Sequence, residues 1–275
     1  MDDLFPTDPV SEHNRRAWDA RVRQGDVFTK PAEDADFLDP LAAVDAPGWL
    51  SPHKNIHNQQ LLCLAAGGGR QAPLYAAAGA CVTVVDISPA MLELDRQIAA
   101  ERGLQIETVE ASMENLRMFD SNQFDIVIQP VSTCYVNDIL AVYRQVARIT
   151  RPGGLYISQH KQPVSLQSNV QPSAGGYAIT EPYYRDGPLP QVTGSPHREY
   201  GTLEFLHRWE QLLGGMCRAG FAIEDLLEPL HAKPDAAIGS FAHRCQYIAP
   251  YVRVKARRSG EASDGLRIQR GDAGG

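Results

Sequence analysis

Residues 61–71 read LLCLAAGGGRQ, an apolar run set directly against three consecutive glycines and then an arginine. A glycine inside a helix or strand costs about 0.5–1 kcal/mol relative to alanine, so three together belong to a turn that needs positive φ or close approach by another group. The run before them, QLLCLA (60–65), is short and continuously apolar, the texture of a strand buried on both faces. The stretch after them, APLYAAAGA (72–80), reads as helix. The glycines therefore mark a strand-to-helix crossover at the carboxyl edge of a sheet, where open α/β folds bind ligands.

The same texture repeats downstream. CVTVVD (81–86), QIETVE (105–110), FDIVIQ (124–129) and LYISQH (155–160) are strand candidates, separated by helical stretches with recognisable ends. Ser88 and Pro89 supply an N-cap and a first-turn proline for PAMLELDRQIAAER, and Gly103 closes it. Asn137 or Asp138 caps ILAVYRQVARIT, which stops at RPGG (151–154). This alternation predicts an α/β fold, a Rossmann-like, doubly wound, mostly parallel sheet with helices on both faces. Its catalytic domain spans 60–258. Residues 1–59 form a cover in which EHNRRAWDARVRQ (12–24) is a short amphipathic helix and 25–59 a loop. Residues 161–200, with prolines at 163, 172, 182, 188, 190 and 196, interrupt the rhythm as an insertion or lid. A helix over 202–221 and strands over 222–229 and 250–257 follow, and the polar tail 259–275 is expected to be disordered.

Composition narrows the function classes. The net charge is −7 and the sole basic run, RVKARR (253–258), reads as the end of a strand, so a phosphate-tracking nucleic-acid surface is not expected. No apolar run is long enough for a membrane span. The amino terminus is acidic and Pro-containing, unlike a secretory leader, and the five cysteines include no CxxC pair, which together point to a reducing cytoplasm. His53 and His57 stand at i, i+4 without a third ligand nearby, so no metal site is expected.

Nineteen residues after Gly67 comes Asp86, at the end of the second strand. A carboxylate there accepts hydrogen bonds from the ribose hydroxyls of a nucleoside lying across the strand ends. Gly67, Gly69 and Ala72 also satisfy the G-x-G-x-x-G/A spacing of dinucleotide sites, so the loop alone leaves NAD open.

The ordered set LLCLAAGGG, VVDISPAML, VEASMENL, FDIVIQPVSTCYVND and ITRPGGLYIS resembles the successive motifs of class I S-adenosylmethionine-dependent methyltransferases over residues 60–160. The helix and two strands that follow are similar to that family's carboxyl-terminal antiparallel hairpin. The resemblance implies S-adenosyl-L-methionine as cofactor, with Ala65, Gly67 and Gly69 under its methionyl part and ribose and Asp86 on the ribose hydroxyls. It further implies Ile87 and Met91 on adenine, Ser112 and Met113 at the adenine edge, and Gln129 facing the amino group. Cys63 and Ser112 stand where many members carry Asp, and Arg70 and Gln71 are candidates to address the carboxylate end instead. For catalysis, Tyr135 is a candidate pocket wall and His160 a candidate general base, with His197, Glu199 and Tyr200 as candidate lid residues. The segment after strand four, Gln129-Pro130-Val131-Ser132, lacks the Asn/Asp-Pro-Pro-aromatic signature of nucleobase amino-methyltransferases. A small-molecule acceptor is the expectation, enclosed by the amino-terminal helix and by 161–200. The alternatives are an NAD(P)-dependent oxidoreductase and a non-catalytic protein binding S-adenosylmethionine or S-adenosylhomocysteine.

Overall fold

The computed structural model describes residues 8–260 apart from 46, 51–54, 174, 194 and 196. The proposed disorder of the tail therefore lies, for residues 261–275, outside the described residues, as does His53. Seven strands form one sheet: β1 (Gln60–Leu64), β2 (Cys81–Asp86), β3 (Ile106–Glu110), β4 (Phe124–Gln129), β5 (Thr150–Lys161), β6 (Phe221–Leu227) and β7 (Tyr251–Arg258). Their spatial order is β3-β2-β1-β4-β5-β7-β6. β3, β2, β1, β4 and β5 run parallel, and β7 runs antiparallel between β5 and β6. The expected mostly parallel sheet with a terminal antiparallel hairpin is the architecture observed.

Strand parity divides the core. Leu62 and Leu64 of β1, with Val127 of β4, pack against α5 (Ile139–Ile149) and α7 (Trp209–Arg218) through Tyr143, Val146, Leu212 and Met216. Their neighbours Leu61 and Cys63, with Ile126 and Ile128, face α2 (Pro40–Val44), α3 (Gln71–Ala77) and α4 (Pro89–Arg102) through Leu41, Ala72, Tyr75 and Leu92. Every residue from Leu61 to Leu64 is fully buried, as a strand covered on both faces requires.

Local chemistry sets the helix ends. Ser88 Oγ accepts the Met91 N–H at 3.1 Å, Pro89 opens α4, and Gly103 closes it in the left-handed conformation. Asp138 caps α5 through the Leu140 and Ala141 N–H groups. The first helix, α1 (Pro9–Gln24), begins earlier than its apolar stripe suggested, because Asp8 caps it and Pro9 occupies its first turn. The 25–59 stretch is more ordered than a loop, with 3₁₀ turns at Val27–Thr29 and Asp34–Leu38 and the Asp39-capped α2.

The expected helix over 202–221 is shorter. Residues 202–208 are irregular, and their backbone bonds elsewhere: Phe205 N–H donates to the Cys134 carbonyl at 2.7 Å, and the Glu204 carbonyl accepts from Leu189 N–H at 2.7 Å. The 161–200 segment carries a short helix, α6 (Pro163–Gln167), and is otherwise irregular. Arg244, at the end of α8 (Phe241–Arg244), is 2% exposed and donates to the carbonyls of Ser165 and Asn169, tying this segment to the sheet's antiparallel edge. No helix among the described residues is long and apolar enough to cross a membrane.

Candidate active site

The carboxyl ends of β1, β2, β4 and β5 and the amino end of β7 open onto a cavity of about 730 Å³. Its floor at one corner is the glycine loop. Ala65, just after β1, lies in the left-handed region at φ 48°, and its N–H donates to the Val85 carbonyl at 2.7 Å. A Cβ on Gly67 would lie 2.8 Å from Met91 Cβ and 3.0 Å from Asp86 Oδ2, and one on Gly69 (φ 75°) 2.9 Å from the Leu94 carbonyl oxygen. The crowding that demands glycine therefore comes from α4 and Asp86.

Two buried carboxylates hold this loop. Asp86 Oδ2 accepts the Gly67 N–H at 3.0 Å and Oδ1 the Ser88 N–H at 2.9 Å. Burial pushes the Asp86 carboxyl up to about 6 against those backbone donors. Asp95, fully buried on α4, accepts the Gly68 and Gly69 N–H groups at 3.1 Å each, and burial raises it to about 7. Sequence reasoning missed Asp95. Its one signal was a carboxylate inside the amphipathic stretch 89–102.

Ala65, Gly67, Arg70, Asp86, Ile87, Met91, Met113, Gln129 and Tyr135 all line the cavity, so nine of the residues singled out from sequence converge there. Gly69 turns to α4, and Ser112 lies outside the lining, its Oγ accepting the Glu114 N–H at 3.3 Å. Arg70 is held in a fork by Asp36 of the cover, at 2.7 and 2.9 Å. Gln71 opens α3 beside the glycines, lines the cavity, and has its Oε1 buried without a hydrogen-bond partner. The Gln129 amide is braced by the Tyr156 hydroxyl at 2.5 Å and by Ser132 Oγ at 3.0 Å.

His160 does not meet the expectation of a general base. It lies outside the cavity lining, fully buried, with Thr133 Oγ1 on Nδ1 and Ser158 Oγ on Nε2, each at 2.8 Å. Burial pushes its pKa down to about 3. Both nitrogens being committed, it fastens the Thr133–Tyr135 turn to β5. Tyr135 is a cavity wall, and Trp18 meets its ring edge-on at 5.6 Å. Burial lifts the phenol well above its ordinary range, so it stays protonated. Behind it lies a buried charge cluster in which Lys161 pairs with Glu199 and, at 2.5 Å, with Glu204, and Arg198 pairs with Glu204 at 2.5 Å.

Elsewhere the cavity wall includes several aromatic rings among aliphatic and polar side chains. Trp18, Phe28 and Trp49 come from the amino-terminal cover, and Phe241 and Tyr251 from the carboxyl-terminal part. Among the described residues, 161–200 contributes Glu199 alone to the lining, whereas the amino-terminal segment and residues 231–253 contribute several side chains each. The cover docks on the ligand-side elements: Ala32 N–H donates to the Gly69 carbonyl at 3.0 Å, and Ser88 Oγ donates to Asp19 at 2.7 Å.

The donor set suits a nucleoside carrying an amino-acid tail. Asp86 retains acceptor capacity on each oxygen for ribose hydroxyls, Ile87, Met91 and Met113 offer apolar faces for a base, and the orphaned Gln71 Oε1 is an acceptor awaiting a donor such as an ammonium group. Residues 62–158 match the methyltransferase domain family. Over 231 residues, 78% of this chain and 89% of the relative, the sequence is 33% identical to the uncharacterized methyltransferase YbaJ of Bacillus subtilis (strain 168). The fold is similar to that of an S-adenosylmethionine dependent methyltransferase from Mesorhizobium loti, with a TM-score of 0.62 and 22% identity over 79% of this chain and 98% of that one. It is also similar to that of the 1,6-didemethyltoxoflavin-N1-methyltransferase of Burkholderia thailandensis with bound 1,6-didemethyltoxoflavin and S-adenosylhomocysteine, with a TM-score of 0.55 and 16% identity over 94% of this chain and 93% of that one. On the glycine crossover, its acid and the relative that spans most of its length, this chain belongs to the class I S-adenosylmethionine-dependent methyltransferase family.

Proposed function

We propose that this methyltransferase transfers the methyl group to a small-molecule acceptor by in-line displacement in the cytoplasm. One observation carries the reading: a single cavity of about 730 Å³ runs from the glycine corner into an aromatic chamber roofed by the chain's own cover. That size is typical of small-molecule sites, about 300–1,000 Å³, and must accommodate donor and acceptor together. The five unpaired cysteines suit a reducing compartment. The family assignment sets aside the oxidoreductase alternative.

Bound there, S-adenosylmethionine supplies an activated methyl group on a sulfonium. In this reading Asp86 takes the ribose hydroxyls, Ala65 and Gly67 present backbone beneath the sugar and methionyl part, and Gln71 and Gln129 face the amino-acid end. Ile87, Met91 and Met113 sandwich the base. What remains for the chain is orientation, an effect that can supply about 7–11 kcal/mol of barrier reduction. Where the acceptor must lose a proton, the imidazole that lines the cavity is His231. Burial, with Arg253 adding, lowers its pKa, so it is neutral at physiological pH and able to accept one.

The test is incubation of the purified protein with methyl-labelled cofactor and three separate acceptor pools: ultrafiltered metabolites, total protein and total nucleic acid. Label is expected in the metabolite pool. Label confined to protein or nucleic acid would overturn the small-molecule assignment.

A further inference from the structure

The cavity's charges are unevenly committed. Its carboxylates are occupied by protein donors: Asp45 by the Trp49 and Leu50 N–H groups, Asp86 by Gly67 and Ser88, and Glu199 by Lys161. Among its guanidinium groups, Arg70 is paired with Asp36. Arg253 is different. It is half-buried in the cavity lining, and among the described residues no carboxylate lies within ion-pair distance of it. Its Nε is fixed by Gln159 Oε1 at 2.6 Å, which leaves both terminal nitrogens of the fork without a protein hydrogen bond among the described residues. A guanidinium held in a cavity without a counterion, in a chain of net charge −7, is a site for an anion.

Position assigns that anion to the acceptor. Arg253 sits on β7, which is separated from the glycine strand β1 by β4 and β5. Three interstrand steps place the two strands about 14 Å apart, so Arg253 lies across the cavity from the corner that holds adenosine. The same cavity carries several rings. His231 stands edge-on to Phe241 at 5.6 Å and to Tyr251 at 5.5 Å, and Trp18, Trp49 and Tyr135 line the same cavity. Aromatic walls favour a flat apolar body in stacked or edge contact, and a forked donor favours a planar carboxylate.

We propose that the methyl acceptor is a planar aromatic acid, its carboxylate paired with Arg253 and its ring enclosed by the aromatic walls. The proposal rests on the small-molecule reading above. The probes are 6-hydroxy-2-naphthoate, its uncharged methyl ester and octanoate, each titrated calorimetrically into the wild-type chain saturated with S-adenosylhomocysteine, into Arg253→Met and into Arg253→Lys. The wild type is expected to bind the aromatic acid at least about tenfold more tightly than the ester or octanoate. Arg253→Met should lose that preference, Arg253→Lys should keep part of it, and both should bind S-adenosylhomocysteine as the wild type does, which also reports on folding. Equal affinity for acid and ester, equal affinity for the aromatic acid and octanoate, binding of neither aromatic probe, or an unchanged preference in Arg253→Met would each overturn the proposal. A wild type that distinguishes acid from ester but fails to bind S-adenosylhomocysteine would instead overturn the methyl-transfer reading while leaving the Arg253 pairing in place.

Discussion

The role proposed for Asp86 ties cofactor affinity to pH, and the size of the expected effect follows from its surroundings. The carboxylate is 8% exposed, and each oxygen already accepts one backbone N–H, from Gly67 at 3.0 Å and from Ser88 at 2.9 Å. In the proposed role a second acceptor position on each oxygen would serve the two ribose hydroxyls only in the ionised form, since protonation turns one oxygen into a donor. With burial holding the group at about 6, the ionised fraction falls from about 0.97 at pH 7.5 to about 0.1 at pH 5, and the apparent dissociation constant rises roughly tenfold. Folding stability moves the other way. A carboxyl raised above its unfolded value favours the folded state at low pH, and this contribution is lost as pH rises through about 6, so weakened binding at pH 5 is not unfolding driven by this group. Asp86→Asn keeps a single acceptor oxygen and sets an amide donor against a backbone donor; it is expected to weaken binding by about 1–3 kcal/mol and to remove the step near pH 6. Any residual slope centred near pH 7 belongs to Asp95. The assay is calorimetric titration of S-adenosylhomocysteine from pH 5 to 8 for both chains. Wild-type affinity that stays flat across this range, or an Asp86→Asn chain with wild-type affinity, would refute the reasoning.

Gly67→Ala places a methyl 2.8 Å from Met91 Cβ and 3.0 Å from Asp86 Oδ2; it is expected to cost about 1–3 kcal/mol of stability by thermal denaturation and to weaken S-adenosylhomocysteine binding. A variant with unchanged melting temperature and affinity would show that α4 yields easily. Lys161→Met leaves Glu199 and Glu204 without their shared ammonium; the loss expected in urea unfolding is about 3–5 kcal/mol. A loss below about 1 kcal/mol, the scale of an exposed pair, would mean that water reaches the cluster.

Local signals in the sequence sufficed for the parallel half of the sheet. β2 spans the expected 81–86 and α4 the expected 89–102, because continuous apolar runs and the Ser88, Pro89 and Gly103 boundaries act within a few residues. Residues 202–208 misled for the opposite reason: their pattern suits a helix, yet Leu189 and Cys134, distant in the chain, take their backbone bonds. At the site, the glycine corner of the cavity was readable because loop, acid and following helix are contiguous. The remaining wall was not, since Trp49, Phe241 and Arg253 come from segments that meet only after folding. His160 attracted attention by residue type, and pairing explains its position. It sits opposite Val252 on the core face, whereas its neighbour Gln159 sits opposite Arg253 on the cavity face.

The amino-terminal cover carries a consequence of its own. It fastens to the glycine loop through Ala32 and to the start of α4 through Asp19, and it contributes Trp18, Phe28 and Trp49 to the cavity wall. In the proposed reading donor handling is written in residues 65–129 and part of the choice of client in the first fifty, so the two vocabularies can diversify separately. Exchanging the first fifty residues between relatives of this design would retune which molecule is methylated while leaving the methyl supply intact.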